Sequence, residues 1–197
     1  MPHAPQQKRE HRTIIAGFGG QGVLTLGKLL CRASMREGKN VTYLPSYGSE
    51  VRGGTANCHV VVSPQTIFSP YVEEADTLII LNELSFDRFG DSIRPDGLFL
   101  LNSSLVDAED SEHVRGVRFL PLPATRLATE MGASVVANVV MLGAFLTLSG
   151  LAQLESAEAE IRELLSERKS ESIPVNLKAL RKGHQLAADM QENAETV

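Results

Sequence analysis

The residues able to do chemistry gather in two short stretches. Between Ile14 and Val23 the chain reads IIAGFGGQGV, and its Gly17, Gly19 and Gly22 meet the G-x-G-x-x-G spacing of a dinucleotide-binding turn. Gly19, Gly20 and Gly22 allow backbone amides to approach a partner closely at a helix start, where the helix dipole favours an anion. A phosphate, a carboxylate or a neighbouring chain could sit there, and so could plain strand-to-helix packing with no ligand. Gln21 points toward function, because packing alone does not call for its amide. The second stretch, SYGSEVRGGTANC, sets Tyr47, Gly48, Glu50 and Arg52 beside Gly53, Gly54 and Thr55. The glycines after Arg52 leave its guanidinium open to a bidentate contact with carboxylate or phosphate. The alternative is an internal pair with Glu50 that stiffens the loop.

A dinucleotide-binding unit makes a second demand: an acidic residue about 20 positions after the glycines, at the tip of the next strand, to hold the ribose. That strand ends here in Leu44-Pro45-Ser46, with Glu37 too early and Glu50 too far into the loop. The dinucleotide reading therefore fails, and a general anion or partner site remains. Asn138 interrupts an apolar run and reads first as a satisfied core amide, second as an interface contact. Asn82 reads as a helix cap.

Composition narrows the chemistry further. The chain has 197 residues and a net charge of -5, with acids and bases interspersed, so no basic stripe invites nucleic acid. Two cysteines, Cys31 and Cys58, are too few for an iron-sulfur cluster and lack any C-x-x-C pairing. The five histidines are scattered without metal-ligand spacing, so no metal site and no catalytic residue is assigned. No apolar run reaches the roughly 18 residues of a membrane span, and the start lacks the apolar centre of a secretory signal. A cytoplasmic protein with no membrane partner is expected.

The elements that must position these residues alternate in type. Thr13–Ala16 begins a strand. Val23, Leu26, Leu30 and Ala33 repeat at helical spacing up to a cap at Gly38. Strands follow at Asn40–Leu44, Ala56–Ser63 and Thr77–Asn82, with shorter candidates at Leu98–Leu101 and Val117–Leu120, the former just after an Asp96-Gly97 turn signal. Ala133–Leu148 is apolar nearly all round, which demands a helix covered on most faces. Leu154, Ala157, Ile161 and Leu164 mark another helix, and Pro174 suits the first turn of the last one. The expectation is a single three-layer α/β/α domain with a mainly parallel sheet. A disordered leader spans 1–11, the domain 12–187 and a flexible tail 188–197. Both glycine stretches then fall at the carboxyl ends of strands and could be neighbours.

Taken together, GFGGQGV, SYGSEVRGGTANCHVVVS, ADTLIILN and VANVVMLGA resemble the gamma subunit, or domain III, of 2-oxoacid:ferredoxin oxidoreductases, in order from Thr13 to Gly183. Ser49 stands where many relatives carry proline, so the loop is expected to be less rigid here. The resemblance implies a subunit of a complex that converts a 2-oxoacid, coenzyme A and oxidised ferredoxin to acyl-CoA, CO2 and reduced ferredoxin. Thiamine diphosphate, Mg and iron-sulfur clusters would then sit on partner alpha and beta subunits, with a delta subunit as a further candidate, and no cofactor on this chain alone. Within the family the motifs look closer to chains for 2-oxoglutarate or branched-chain oxoacids than to indolepyruvate ones. The residues the resemblance assigns to coenzyme or subunit contact are Gly17, Gly19, Gly20, Gln21, Gly22, Tyr47, Gly48, Glu50, Arg52, Gly53, Gly54, Thr55 and Asn138. A free-standing nucleotide- or coenzyme-binding module using the first glycine turn alone is the rival reading.

Overall fold

Thr13–Ala16 is fully enclosed, as four consecutive buried residues in a central strand must be. These residues lie in β1 (His11–Phe18), which a glycine turn joins to α1 (Val23–Arg36). In this computed structural model residues 10–47, 54–107, 112–166 and 169–195 are described. The apolar repeat of α1 faces inward through Val23, Leu26, Leu30 and Ala33. Past its end Gly38 takes φ 76° and returns its N–H to the Met35 carbonyl at 2.9 Å, the left-handed stop expected of it.

The chain continues through β2 (Asn40–Tyr47), β3 (Thr55–Ser63), β4 (Ala75–Ile80), α2 (Glu83–Phe89), β5 (Ile93–Asn102) and β6 (Arg118–Leu122). It closes with α3 (Ala124–Glu130), α4 (Ala137–Ser149), α5 (Leu154–Leu165) and α6 (Ile173–Glu195). The six strands form one sheet in the order β2-β3-β1-β4-β5-β6. β1, β4, β5 and β6 run parallel, whereas β3 lies antiparallel to both β1 and β2. The sheet is thus mainly parallel, with an antiparallel wing that the strand pattern did not announce. The wing places the last residue of β2 and the first of β3 at the same rim as the carboxyl end of β1.

One face of the sheet carries α1, α3, α4, α5 and α6 over a large apolar core. The other carries α2, whose Phe86 packs against Phe99 of β5 with ring centroids 5.7 Å apart. α4 is buried at every position from Ala137 to Leu146 because α6 lies directly on its backbone. A Cβ on Gly143 would strike the Leu180 carbonyl, and one on Gly183 the Val140 carbonyl. That paired absence of side chains lets two helices touch closely enough to cover a helix apolar on all sides.

Three expectations need correction. α6 continues past residue 187 to Glu195, so the described part of the segment expected as a flexible tail is helical. His11, placed in the leader, already belongs to β1. Asp96-Gly97 does not precede a strand but interrupts one: Ile93 pairs with Ala75 and Leu98 with Thr77, so the residues between bulge out, with Asp96 at φ 61°.

Candidate functional site

The two glycine stretches meet. Gly19 donates its backbone N–H to the Gly54 carbonyl at 2.9 Å, joining the turn after β1 to the residue that leads into β3. Thr55 opens β3 opposite Phe18, and Tyr47 ends β2 with 72% of its surface exposed. Gly48, Glu50, Arg52 and Gly53 lie outside the described residues, and with them the question of a Glu50–Arg52 pair.

The glycines of the first turn do different work. Gly17 is a packing residue, since a Cβ there would lie 2.7 Å from Oε1 of Gln21 and 2.9 Å from Val23. Gly22 caps α1 at φ 76° with the Asn138 side chain against it, so both backbone conformation and space require glycine. Gly20, at φ 99°, has open space where its side chain would be. Of the three, Gly20 is the one whose backbone faces room for an occupant.

Gln21 is a brace. Its Oε1 accepts from the Phe18 N–H at 2.6 Å and from Nδ2 of Asn82 at 3.2 Å, while its Nε2 donates to the Leu81 carbonyl at 3.0 Å. The structure therefore does call for its amide, to tie the end of β1 to the end of β4, and the premise that packing has no use for it is corrected. Its partners at Leu81 and Asn82 stand some sixty positions away in sequence, which is why local reasoning could not find them. Asn82 caps α2 as expected, accepting the Ser85 N–H at 2.9 Å. Asn138 is only half the satisfied core amide foreseen. Its Nδ2 donates to the Gly22 carbonyl at 3.0 Å, but its Oδ1 is buried with no partner among the described residues.

Beside this turn lies a cavity of about 210 Å³ bordered by Gly20, Gln21, Asn102, Thr125, Ser134 and Ala137. Asn102 ends β5 and clasps Thr125 twice, Nδ2 to Oγ1 at 2.8 Å and Oδ1 from the Thr125 N–H at 3.3 Å. Neither residue was singled out from the sequence. The available signal was a repeat: β4 and β5 both give way to the rim through Leu-Asn, at Leu81-Asn82 and Leu101-Asn102. α4 begins in this lining with Ala137 and α1 two residues past Gln21, the hydroxyls of Thr125 and Ser134 line the space, and no acidic side chain lines it among the described residues. The arrangement suits a phosphate or carboxylate group.

The donor set does not fit an iron-sulfur cluster or a structural metal. Cys31 and Cys58 are both buried, and burial keeps each as a thiol, pushing Cys31 up to about 12 and Cys58 higher still. Among the described residues no three His, Cys, Asp or Glu side chains converge. Two histidines hold structure: Nε2 of His11 meets Oγ1 of Thr77 at 3.0 Å, and Nδ1 of His184 meets Oγ1 of Thr147 at 2.7 Å. No helix among the described residues is long and apolar enough to cross a membrane.

Fold and rim define an α/β domain with a glycine-lined carboxyl edge. The chain belongs to the pyruvate ferredoxin/flavodoxin oxidoreductase family, whose model matches residues 12–186. It is 40% identical to the ketoisovalerate oxidoreductase subunit VorA of Methanothermobacter marburgensis over 89% of its own length and 36% of that relative's. It is 34% identical to the 2-oxoglutarate synthase subunit KorC of Methanocaldococcus jannaschii, covering 89% of this chain and 93% of that one. The chain thus spans little more than a third of one relative and nearly all of the other. Among solved structures, the gamma subunit of a keto/oxoacid ferredoxin oxidoreductase from Geobacter sulfurreducens superposes with a TM-score of 0.75 at 26% identity, over 91% of this chain and 99% of that one. The 2-oxoglutarate:ferredoxin oxidoreductase of Magnetococcus marinus, solved with 2-oxoglutarate, coenzyme A and succinyl-CoA, gives 0.84 at 26% identity, over 92% of this chain and 32% of that one.

Proposed function

We propose that this chain is the gamma component of a thiamine diphosphate-dependent 2-oxoacid:ferredoxin oxidoreductase acting on 2-oxoglutarate or a branched-chain 2-oxoacid. The observation that supports the reading is the Gly19–Gly54 hydrogen bond, which joins the turn after β1 to the residue that leads into β3. The names of the relatives support the substrate class, and the coenzyme A in the Magnetococcus marinus structure supports the co-substrate. Bound on alpha and beta partners, thiamine diphosphate with Mg and the iron-sulfur clusters would supply decarboxylation and electron transfer to ferredoxin. This chain's part is positional. The starts of α1 and α4 and the open backbone at Gly20 receive an anionic group, either a coenzyme A phosphate or a carboxylate of the partner, and Arg52 adds the cation.

The test is co-expression of the tagged chain with its genomic alpha and beta neighbours, followed by pull-down and by assay of CoA-dependent ferredoxin reduction with 2-oxoglutarate and with 2-oxoisovalerate. Retention of both partners and activity with one of these acids is expected. Arg52→Ala should leave the isolated chain folded while weakening assembly or raising the KM for coenzyme A. A chain that elutes alone and whose removal leaves the activity intact would refute the reading.

A further inference from the structure

A second cleft, of about 380 Å³, opens on the sheet face that α2 only partly covers. Its floor is the antiparallel wing. Ser46 of β2 lies in register with Asn57 of β3, and Leu44 with His59, so these four share the face away from α1. Residues 71–73 of the β3–β4 connection and the last residues of α2 complete the lining. The volume falls in the range of small-molecule sites, and it lies apart from the cavity beside Gly20.

The floor holds polar side chains whose N–H groups line the cleft. Asn57 is 5% exposed, and its amide makes no hydrogen bond among the described residues. His59 is 7% exposed, and its Nδ1 accepts the Val72 N–H at 3.0 Å. That bond puts the ring proton on Nε2, a donor with no partner among the described residues. Burial holds the imidazole neutral by lowering its pKa, and Tyr71 fixes its plane with ring centroids 5.1 Å apart. Two polar side chains on one strand face, lining the cleft and without a protein partner for these donors among the described residues, can serve an acceptor that enters it.

The charge of that acceptor follows from the mouth. Arg88, exposed at the end of α2, lies over the Phe89 ring at 5.2 Å and has no carboxylate partner among the described residues. One guanidinium matches one negative charge, and Glu73 in the same lining disfavours a dianion such as phosphate. Ile14, Leu44 and Phe89 leave the remaining wall apolar. We propose that this cleft binds a small organic monocarboxylate with an apolar body, its charge held by Arg88 and its oxygens reached by the N–H groups of Asn57 and His59.

The full chain with 15N-labelled histidine tests this directly, using phenylacetate as the probe. Phenylacetate should move the His59 Nε2 resonance saturably. Phenylacetamide and inorganic phosphate should each require at least about tenfold more to do so. Arg88→Gln, a surface change that does not endanger the fold, should weaken phenylacetate about tenfold, and Asn57→Asp, nearly isosteric but anionic, at least as much. Absence of a saturable shift up to about 10 mM, equal binding of the amide, or unchanged affinity in Arg88→Gln would overturn the proposal.

Discussion

On the α1 face of the sheet, five helices bury a continuous core and bring two backbones into contact at Gly143 and Gly183. On the opposite face, seven-residue α2 covers the middle strands and leaves β2 and β3 with a cleft over them. The difference separates two duties of one sheet. Close packing on the first face fixes the architecture, and sparse cover on the second leaves a cleft lined by polar side chains of β2 and β3. The glycine rim runs where both faces end.

The comparison can be broken most forcefully at Phe145, fully buried in α4. Phe145→Ala should lower stability by about 3–5 kcal/mol in urea unfolding. A loss below about 1 kcal/mol would mean that this face does not anchor the fold. Next comes Gly183→Ala, whose new methyl would meet the Val140 carbonyl, backbone that cannot rotate aside. It should cost about 1–3 kcal/mol by the same measurement, because α6 must lift from α4.

A smaller effect sharpens the same contrast through pH. Glu160 of α5 is buried and takes hydrogen bonds from Arg32 and from Arg36 of α1, the latter at 2.8 Å. Burial pushes its carboxyl upward, but the two guanidinium groups outweigh burial and hold it below the ordinary glutamate value. A depressed folded-state pKa gives stability that is complete above the unfolded value of about 4.3 and is lost as pH falls through the folded value. Urea midpoints taken from about pH 7 down to 3 should therefore drop on the acid side, and Glu160→Gln should flatten that limb. An identical acid limb in the variant would assign the loss to other carboxylates. The smallest effect belongs to Phe68, 94% exposed in the β3–β4 connection: Phe68→Ser should change stability by no more than about 0.5 kcal/mol.

What the sequence revealed was whatever one element decides by itself. Val23, Leu26, Leu30 and Ala33 face the core as their spacing requires, Gly38 stops α1, and the apolar run around Met141 is covered as it must be. The meeting of the two glycine stretches was also within reach, because strand ends in an α/β sheet share a rim. The direction of β3 was not, since its alternation and branching look the same whichever way it runs between β2 and β1. Helix α3 carries too short an apolar pattern to declare itself. The duty of Gln21 and the burial of Glu160 depend on partners from distant elements, which no local pattern encodes. The unmatched amide of Asn57 became visible only once the face it occupies was known.

One side chain described above has a reach longer than its size suggests. Because the carboxamide of Gln21 holds the loop after β1 and also grips the residue that starts α2, the two cannot shift independently. A guest that pulls the loop forward would tug on the first turn of α2, and Arg88 rides at the far end of that short rod. Arrival of a molecule at the edge of the sheet would then be felt on its underside, through three hydrogen bonds and a helix two turns long.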